Sequence, residues 1–131
     1  MGRQRISLET PSFAVIAATV LATVAQADTL PISGKYGNKD GCAYARTGES
    51  TGSENFFLLT PEAITTATSV CTIKKVIKTD GKSYVAMVSC EAEGEDGGTD
   101  DTAKITYGPK GYTIGFTSDD RTKWGPLPLC K

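Results

Sequence analysis

The sequence predicts an all-β domain, a small antiparallel meander that is closed as a barrel or folded as a sandwich and stapled by two disulfides. Short runs of alternating apolar and polar residues, separated by glycine- and proline-rich turns, are the pattern of half-buried strands. No run after the N-terminal leader has convincing amphipathic helical spacing. Four cysteines in a short chain are the number expected for two disulfides, the pattern of small secreted domains.

The first 27 residues have the order of a secretory signal peptide. Arg3 and Arg5 precede an uncharged run of thirteen residues, and Ala25-Gln26-Ala27 then offers small residues at the two positions that a signal peptidase reads. A membrane anchor is the alternative, but a spanning helix needs roughly 20 apolar residues. We predict a signal peptide over 1–27 and a single mature domain over 28–131, with no membrane span in the mature form.

The charge of the mature domain is nearly balanced. The chain has 14 Lys and Arg against 15 Asp and Glu, and the leader would remove Arg3, Arg5 and Glu9, which leaves a net charge of −2. A balanced domain has no broad positive field to attract nucleic acid or anionic lipid. We therefore expect no nucleic-acid partner.

The front of the mature chain has the weakest pattern. Tyr36–Arg46 is expected to contain a short first strand, and Glu49–Glu54 is a polar loop. The run 56–59 (FFLL) is apolar on both faces, as in a well-covered strand. Thr60–Ala63 reads as a turn, and the run 63–69 could form one helical turn, although its threonines favour a strand.

The clearest hairpin is centred on Asp80-Gly81, a strong turn signal between two apolar runs. A symmetric register then aligns one face of both strands, with the pairs Cys71–Cys90, Ile73–Val88, Lys75–Ala86 and Ile77–Tyr84. A four-residue loop closed by Lys78–Ser83 is expected, because it would make the cysteines a non-hydrogen-bonded pair, in which side chains lie closer.

A second hairpin follows around the turn Gly108–Gly111. Its two strands alternate, and both members of each facing pair are apolar, in the pairs Tyr107–Tyr112, Ile105–Ile114 and Ala103–Phe116. That pattern predicts one buried face.

The cysteines allow three pairings, or a zinc site in their place. Zinc sites need closely spaced ligand pairs and often His, and neither is found in this sequence. The hairpin register places Cys71 beside Cys90. Cys42–Cys130 then follows by elimination, and would tie the first strand to the C-terminal run as closing a barrel requires.

Two segments are candidates for binding. The acidic loop Glu91–Asp101 has carboxylates and glycines that could bind calcium, although it lacks the EF-hand spacing. The alternative is a solvated loop whose charges prevent edge-to-edge pairing of sheets.

In the C-terminal run the prolines hold the chain extended and argue against a central strand. Its candidate binding residues are Trp124, Pro126, Leu127 and Pro128. The alternative is that Trp124 plugs a barrel end, with Leu127 and Leu129 packed over it.

Catalytic chemistry is poorly supplied. The sequence has no His, the commonest general base, and oxidised cysteines offer no thiolate. Asp119 and Asp120 are neighbours, and adjacent strand residues point to opposite faces, which does not suit a catalytic pair. We predict that the protein is not an enzyme and needs no cofactor and no metal.

A few motifs are shared with known proteins. Gly34-Lys35-Tyr36 stands near the start of the mature chain, Cys42, Cys71 and Cys130 follow, and Cys90 precedes Glu93-Gly94. In these features the chain resembles small four-cysteine periplasmic proteins of alphaproteobacteria without an assigned function. More distantly it is similar to periplasmic lysozyme- and protease-inhibitor barrels, whose inhibitory motifs cannot be placed on this chain.

Export, the rigid C-terminal run and the lack of catalytic residues lead to one functional hypothesis. The chain is expected to be a periplasmic or secreted binding module with a protein partner in the cell envelope, such as a hydrolase that it inhibits. The alternative is an envelope structural or stress-related protein without a catalytic or tight-binding role.

Overall fold

The computed structural model describes residues 28–131, so the predicted signal peptide lies outside the described residues. Eight strands form one sheet in chain order, each antiparallel to the next, and one helix follows the first strand. The elements are β1 (Tyr36–Gly37), α1 (Lys39–Thr47), β2 (Phe57–Leu59), β3 (Ala63–Thr66), β4 (Ser69–Asp80), β5 (Ser83–Ala92), β6 (Thr99–Gly108), β7 (Gly111–Phe116) and β8 (Asp119–Leu127). The predicted antiparallel meander is confirmed.

The sheet is nearly closed into a barrel by contacts between its first and last strands. Tyr36 pairs with Leu129, the Gly37 N–H donates to the Pro128 carbonyl over 2.9 Å, and the Cys130 N–H donates to the Lys35 carbonyl over 2.8 Å. Of the two predicted architectures, the structure is therefore the barrel. We call these contacts the seam.

Apolar side chains fill the barrel interior. The largest of those that are almost fully buried are Leu30, Leu59, Ile64, Ile73, Val88, Ile105 and Ile114. An eight-stranded barrel is just wide enough for such side chains to fill it. The inward positions are thus committed to packing, and the outward positions are left to interact with solvent and partners.

The residues before β1 form an arm that supports the middle of β4. Leu30 is buried, and its N–H donates to the Pro61 carbonyl over 2.8 Å. The Asp28 carboxylate accepts from the Val76 N–H over 3.0 Å, and the Asp28 N–H donates to the Lys74 carbonyl over 3.1 Å. Since β3 pairs with β4 only as far as Thr72, the arm continues the cover of β4 where β3 has ended.

The β4–β5 register confirms the cysteine pairing and corrects the rest of the hairpin. Cys71 faces Cys90 and Ile73 faces Val88, as predicted, but two irregularities follow in β4. The observed pairs beyond them are Lys75–Met87, Val76–Ala86, Lys78–Val85, Thr79–Tyr84 and Asp80–Ser83. The predictions that Lys75 faces Ala86 and that Ile77 faces Tyr84 were wrong.

The physical reason is that each β-bulge adds one residue to the longer strand and moves the following side chains to the other face. Lys75 is thereby exposed, Val76 takes the place opposite buried Ala86, and Ile77 is 52% exposed. The turn itself has two residues, Gly81-Lys82, so the predicted centre at Asp80-Gly81 and the predicted four-residue loop were also wrong. Gly81 has φ 58°, a conformation that glycine adopts at little cost.

The second hairpin has the predicted pairs, Tyr107–Tyr112, Ile105–Ile114 and Ala103–Phe116. Ala103, Ile105 and Ile114 are fully buried, while Tyr107, next to the turn, is 43% exposed. The alternation of this hairpin was therefore sufficient to predict its register, because no bulge interrupts it.

The short first strand expected within Tyr36–Arg46 is present as β1, but the expectation that the mature chain has no helix was wrong, because α1 begins at Lys39. The Asn38 side chain caps it by accepting the Gly41 N–H over 2.9 Å, and Gly48, with φ 75°, ends it. Gly41 lies so close to β2 that a Cβ there would be 1.9 Å from the Phe57 carbonyl oxygen. Within residues 28–131, no helix is long and apolar enough to cross a membrane.

Candidate functional site

Both predicted disulfides are present. Cys71 and Cys90 are joined across neighbouring strands with a Cα–Cα distance of 3.9 Å, and Cys42 in α1 is joined to Cys130 with a Cα–Cα distance of 5.3 Å. All four cysteines are therefore oxidised, a state compatible with an extracellular or periplasmic location.

The C-terminal run forms the end of β8 and one side of the seam. Trp124 is half-buried, with its ring centroid 5.4 Å from that of Phe57 and 4.9 Å from that of Phe116. Leu127 is 2% exposed, whereas Pro126 and Pro128 are exposed. Because Leu127 is in the core and Leu129 is 54% exposed, a binding role for this run could use the two prolines, Leu129 and the outer part of Trp124.

The acidic loop between β5 and β6 is exposed from Glu93 to Asp100. Among the described residues, no group of three or more acidic or cysteine side chains is placed to hold a metal ion. Asp101 instead organises the β7–β8 turn, accepting hydrogen bonds from the Thr102 N–H over 2.8 Å and from the side chains of Ser118 and Thr117. Burial raises the pKa of Asp101, but these hydrogen bonds together outweigh it and hold the pKa below 3.8.

One candidate site is a depression of about 510 Å³ on the outer face of the barrel, over strands β6 to β8. We call it the outer groove. Its lining residues are Lys104, Thr106, Thr113, Gly115, Phe116, Thr117, Asp120 and Lys123. The lining thus combines two ammonium groups, one carboxylate, three hydroxyls and an aromatic ring, a mixture suited to a polar, hydroxyl-rich ligand.

Strand register explains why these lysines lie together. Lys78 pairs with Val85, Val85 with Lys104, Lys104 with Gly115, and Gly115 with Lys123. These five residues form a row across β4 to β8, which we call the lysine row. The neighbouring row of paired residues contains Tyr84, Ile105 and Ile114, which are buried. Successive residues of a strand point to opposite faces, so the lysine row faces outward.

Gly115 lines the outer groove and has no side chain to fill it. A Cβ built at this position would have the Lys123 Cγ at 3.9 Å as its nearest neighbour, so no contact forbids a side chain there. The glycine is therefore not required by packing. Its effect is to leave open the space between Lys104 and Lys123.

Two smaller depressions continue the outer groove. One of about 200 Å³ extends to β4 and adds Lys78, Asp80 and Ser83, while sharing Lys104 and Thr106. The other, of about 240 Å³, lies at the β6–β7 turn and includes Tyr107, Pro109 and Pro126. Of the predicted binding residues, Pro126 thus lies in this second depression, and Trp124 packs against Phe116 of the outer groove.

Tyrosines surround the β6–β7 turn. The Tyr112 ring packs edge-on against Tyr36 and Tyr107, with centroids 4.7 and 5.1 Å away, and the Lys82 ammonium lies 4.9 Å from the Tyr107 ring centroid. Burial, with smaller effects from Tyr84, Tyr36 and Tyr107, raises the pKa of Tyr112 to about 12. The Tyr112 phenol therefore stays protonated at ordinary pH.

Sequence reasoning missed the outer groove. The pairing of Lys104 with Gly115 follows from the predicted second hairpin, but Lys78 and Lys123 join the row only through the bulges of β4 and the register of β8.

Comparisons with protein-family models, curated proteins and solved structures found no match to this chain. The basis for a functional proposal is therefore the chemistry of the groove.

Proposed function

We propose that this protein is an exported binding module of the cell envelope, and that its outer groove binds an anionic ligand. The observation that carries this proposal is the lysine row, in which Lys78, Lys104 and Lys123 lie on one outer face at intervals of two strands. Exposed ammonium groups on a rigid sheet are ready to meet anions without rearrangement of the backbone.

The rest of the groove supports ligand binding over catalysis. The threonine hydroxyls of Thr106, Thr113 and Thr117 both donate and accept hydrogen bonds, which favours recognition of a polar ligand. The sequence has no His, and its four cysteines are in disulfides. The groove therefore lacks the commonest general base and an available thiolate.

A second candidate is binding of an envelope protein, such as a hydrolase, at the barrel rim. Leu129 is 54% exposed between Pro128 and Cys130, and the seam hydrogen bonds and the Cys42–Cys130 disulfide restrain this segment. A rigid exposed leucine loses little conformational entropy on binding. Inhibition assays on lysozyme and on periplasmic proteases, comparing wild type with Leu129→Ser, would detect this function.

The groove proposal is tested by NMR titration of the mature domain with polygalacturonate, using neutral dextran as the control ligand. We expect polygalacturonate to shift the amide signals of Lys104, Thr106 and Gly115, and dextran to leave them unchanged. Gly115→Gln should fill the groove and weaken binding, whereas Met87→Gln, at an exposed outward position outside the groove, should not.

Equal binding by the two variants, or shifts confined to other surfaces, would reject the outer groove as the site. A folded wild-type domain that binds neither an anionic ligand nor an envelope protein would favour the structural or stress-related alternative.

A further inference from the structure

We infer that the outer groove binds a linear glycan with an anionic group on every second sugar. This inference rests on the proposed function and adds the class of ligand. It depends on three properties of the groove: its direction, the spacing of its lysines, and the acids among them.

The direction of the groove indicates an elongated ligand. The depression on the β4 side and the outer groove share Lys104 and Thr106, so together they continue from Lys78 to Lys123. This path crosses the strands, and its course follows the lysine row. A small anion would occupy one part of the path, whereas a linear polymer would occupy all of it.

The spacing of the lysines indicates a low charge density on that polymer. Neighbouring strands lie about 4.8 Å apart, so the backbone positions of lysines two strands apart are separated by roughly 10 Å. That interval corresponds to two sugar units of an extended glycan. The positions between the lysines are Val85 and Gly115, which offer no charge. A polymer with a charge on every sugar would leave alternate charges without a partner.

Two carboxylates in the path favour a glycan over other anionic polymers. Asp80 lies in the β4-side depression and Asp120 in the outer groove. Both would repel a densely charged chain such as nucleic acid, or the surface of an anionic membrane. Both could accept hydrogen bonds from sugar hydroxyls, as could Thr106 and Thr113. The combination of separated cations with acceptors between them matches a chain that is both hydroxylated and sparsely acidic.

The test compares three oligosaccharides of equal length by calorimetry and NMR on the mature domain. Hyaluronan has a carboxylate on alternate sugars, oligogalacturonate has one on every sugar, and N-acetylglucosamine oligomers have none. We expect hyaluronan to bind at least about tenfold more tightly than oligogalacturonate, with shifts along the whole lysine row. The neutral oligomers should bind most weakly.

Variants then measure the contribution of each lysine. Lys78→Gln, Lys104→Gln and Lys123→Gln should each weaken hyaluronan binding by up to about fivefold, the range of an exposed charge contact. Lys39→Gln in α1 removes the same charge from an exposed position outside the groove and should have little effect. Added salt should weaken binding of wild type more than binding of the Lys104 variant.

Each contrary outcome has a distinct meaning. If oligogalacturonate binds in the groove as tightly as hyaluronan, the spacing argument is wrong and the proposed function stands. Tighter binding of duplex DNA or of phosphatidylglycerol vesicles would overturn the glycan class. Self-association through the acidic loop of a second copy, seen by sedimentation, would assign the lysine row to that contact instead. If no ligand shifts the groove, both the inference and the proposed function fail.

Discussion

The Cys42–Cys130 disulfide should contribute more to stability than Cys71–Cys90, because it closes a much longer loop. The bridges join residues 88 and 19 positions apart. With these values, the loop-closure relation gives about 4.6 and about 3.2 kcal/mol at 25 °C. Removal of either bridge is therefore a large change for a domain with a total stability of about 5–15 kcal/mol.

The assay is urea unfolding of the mature domain with Cys42→Ala/Cys130→Ala or Cys71→Ala/Cys90→Ala. We expect the first variant to lose about 1.4 kcal/mol more than the second. Cys71 is 3% exposed, so its truncation also removes packing. Comparing wild type and each variant under reducing conditions measures that packing cost, which is then subtracted.

Hydrogen exchange locates the effect. The amides of Gly37 and Cys130 donate across the seam, so both should lose protection when the Cys42–Cys130 bridge is removed, while Ile105 in the middle of the sheet keeps its protection relative to them. If the shorter bridge proves to contribute more after the packing correction, or if seam protection is unchanged, then loop closure across the seam is not the source of the stability.

Four further changes should have measurable effects on stability or titration. Gly41→Ala should destabilise the domain by about 1–3 kcal/mol in urea unfolding, since the new Cβ would meet the Phe57 carbonyl; stabilisation, as in an ordinary solvent-exposed helix, would contradict this packing. Leu30→Ala should cost about 2–5 kcal/mol, and an unchanged midpoint would mean that the arm is not part of the cooperative unit. Because the folded pKa of Asp101 is lowered, its hydrogen bonds stabilise the domain above pH 4 and are lost as the pH falls through that folded value, so the destabilisation caused by Asp101→Asn should shrink in acid; a pH-independent difference would refute this assignment. One tyrosine should ionise near pH 12 in an ultraviolet titration of the folded domain and be missing in Tyr112→Phe, unless unfolding in alkali comes first, which a parallel circular dichroism measurement would reveal.

The sequence predicted strand pairing correctly where the alternation of apolar and polar residues continues without a bulge through both strands. The second hairpin was predicted pair by pair because its strands alternate without interruption around a glycine-bounded turn. The Cys71–Cys90 bridge was predicted correctly although the turn centre was not, because the two bulges in β4 offset the one-residue displacement of the turn. The eight-stranded barrel then accounts for the second bridge, since closing the sheet brings the last strand beside β1.

The sequence pattern failed where a β-bulge reverses which side chains of a strand face inward, and where the helix is too short to show a clear amphipathic repeat. Two bulges in β4 shift the pairing by one residue each. A symmetric register keeps the same alternation along the whole strand, so it places Lys75 rather than Val76 opposite Ala86. The helix α1 has only nine residues, and its evidence in the sequence is confined to the cap residues Asn38 and Gly48.

The sequence by itself determined an antiparallel β domain with two disulfides, because alternation, turn residues and cysteine matching act between near neighbours in the chain. Only the tertiary structure decided that the sheet closes as a barrel and that Lys78, Lys104 and Lys123 share one outer row. Those lysines are on three different strands, and their alignment depends on the bulges of β4 and the register of β8. Net charge gave no sign of the row, because a sum over the chain is independent of where folding places each charge.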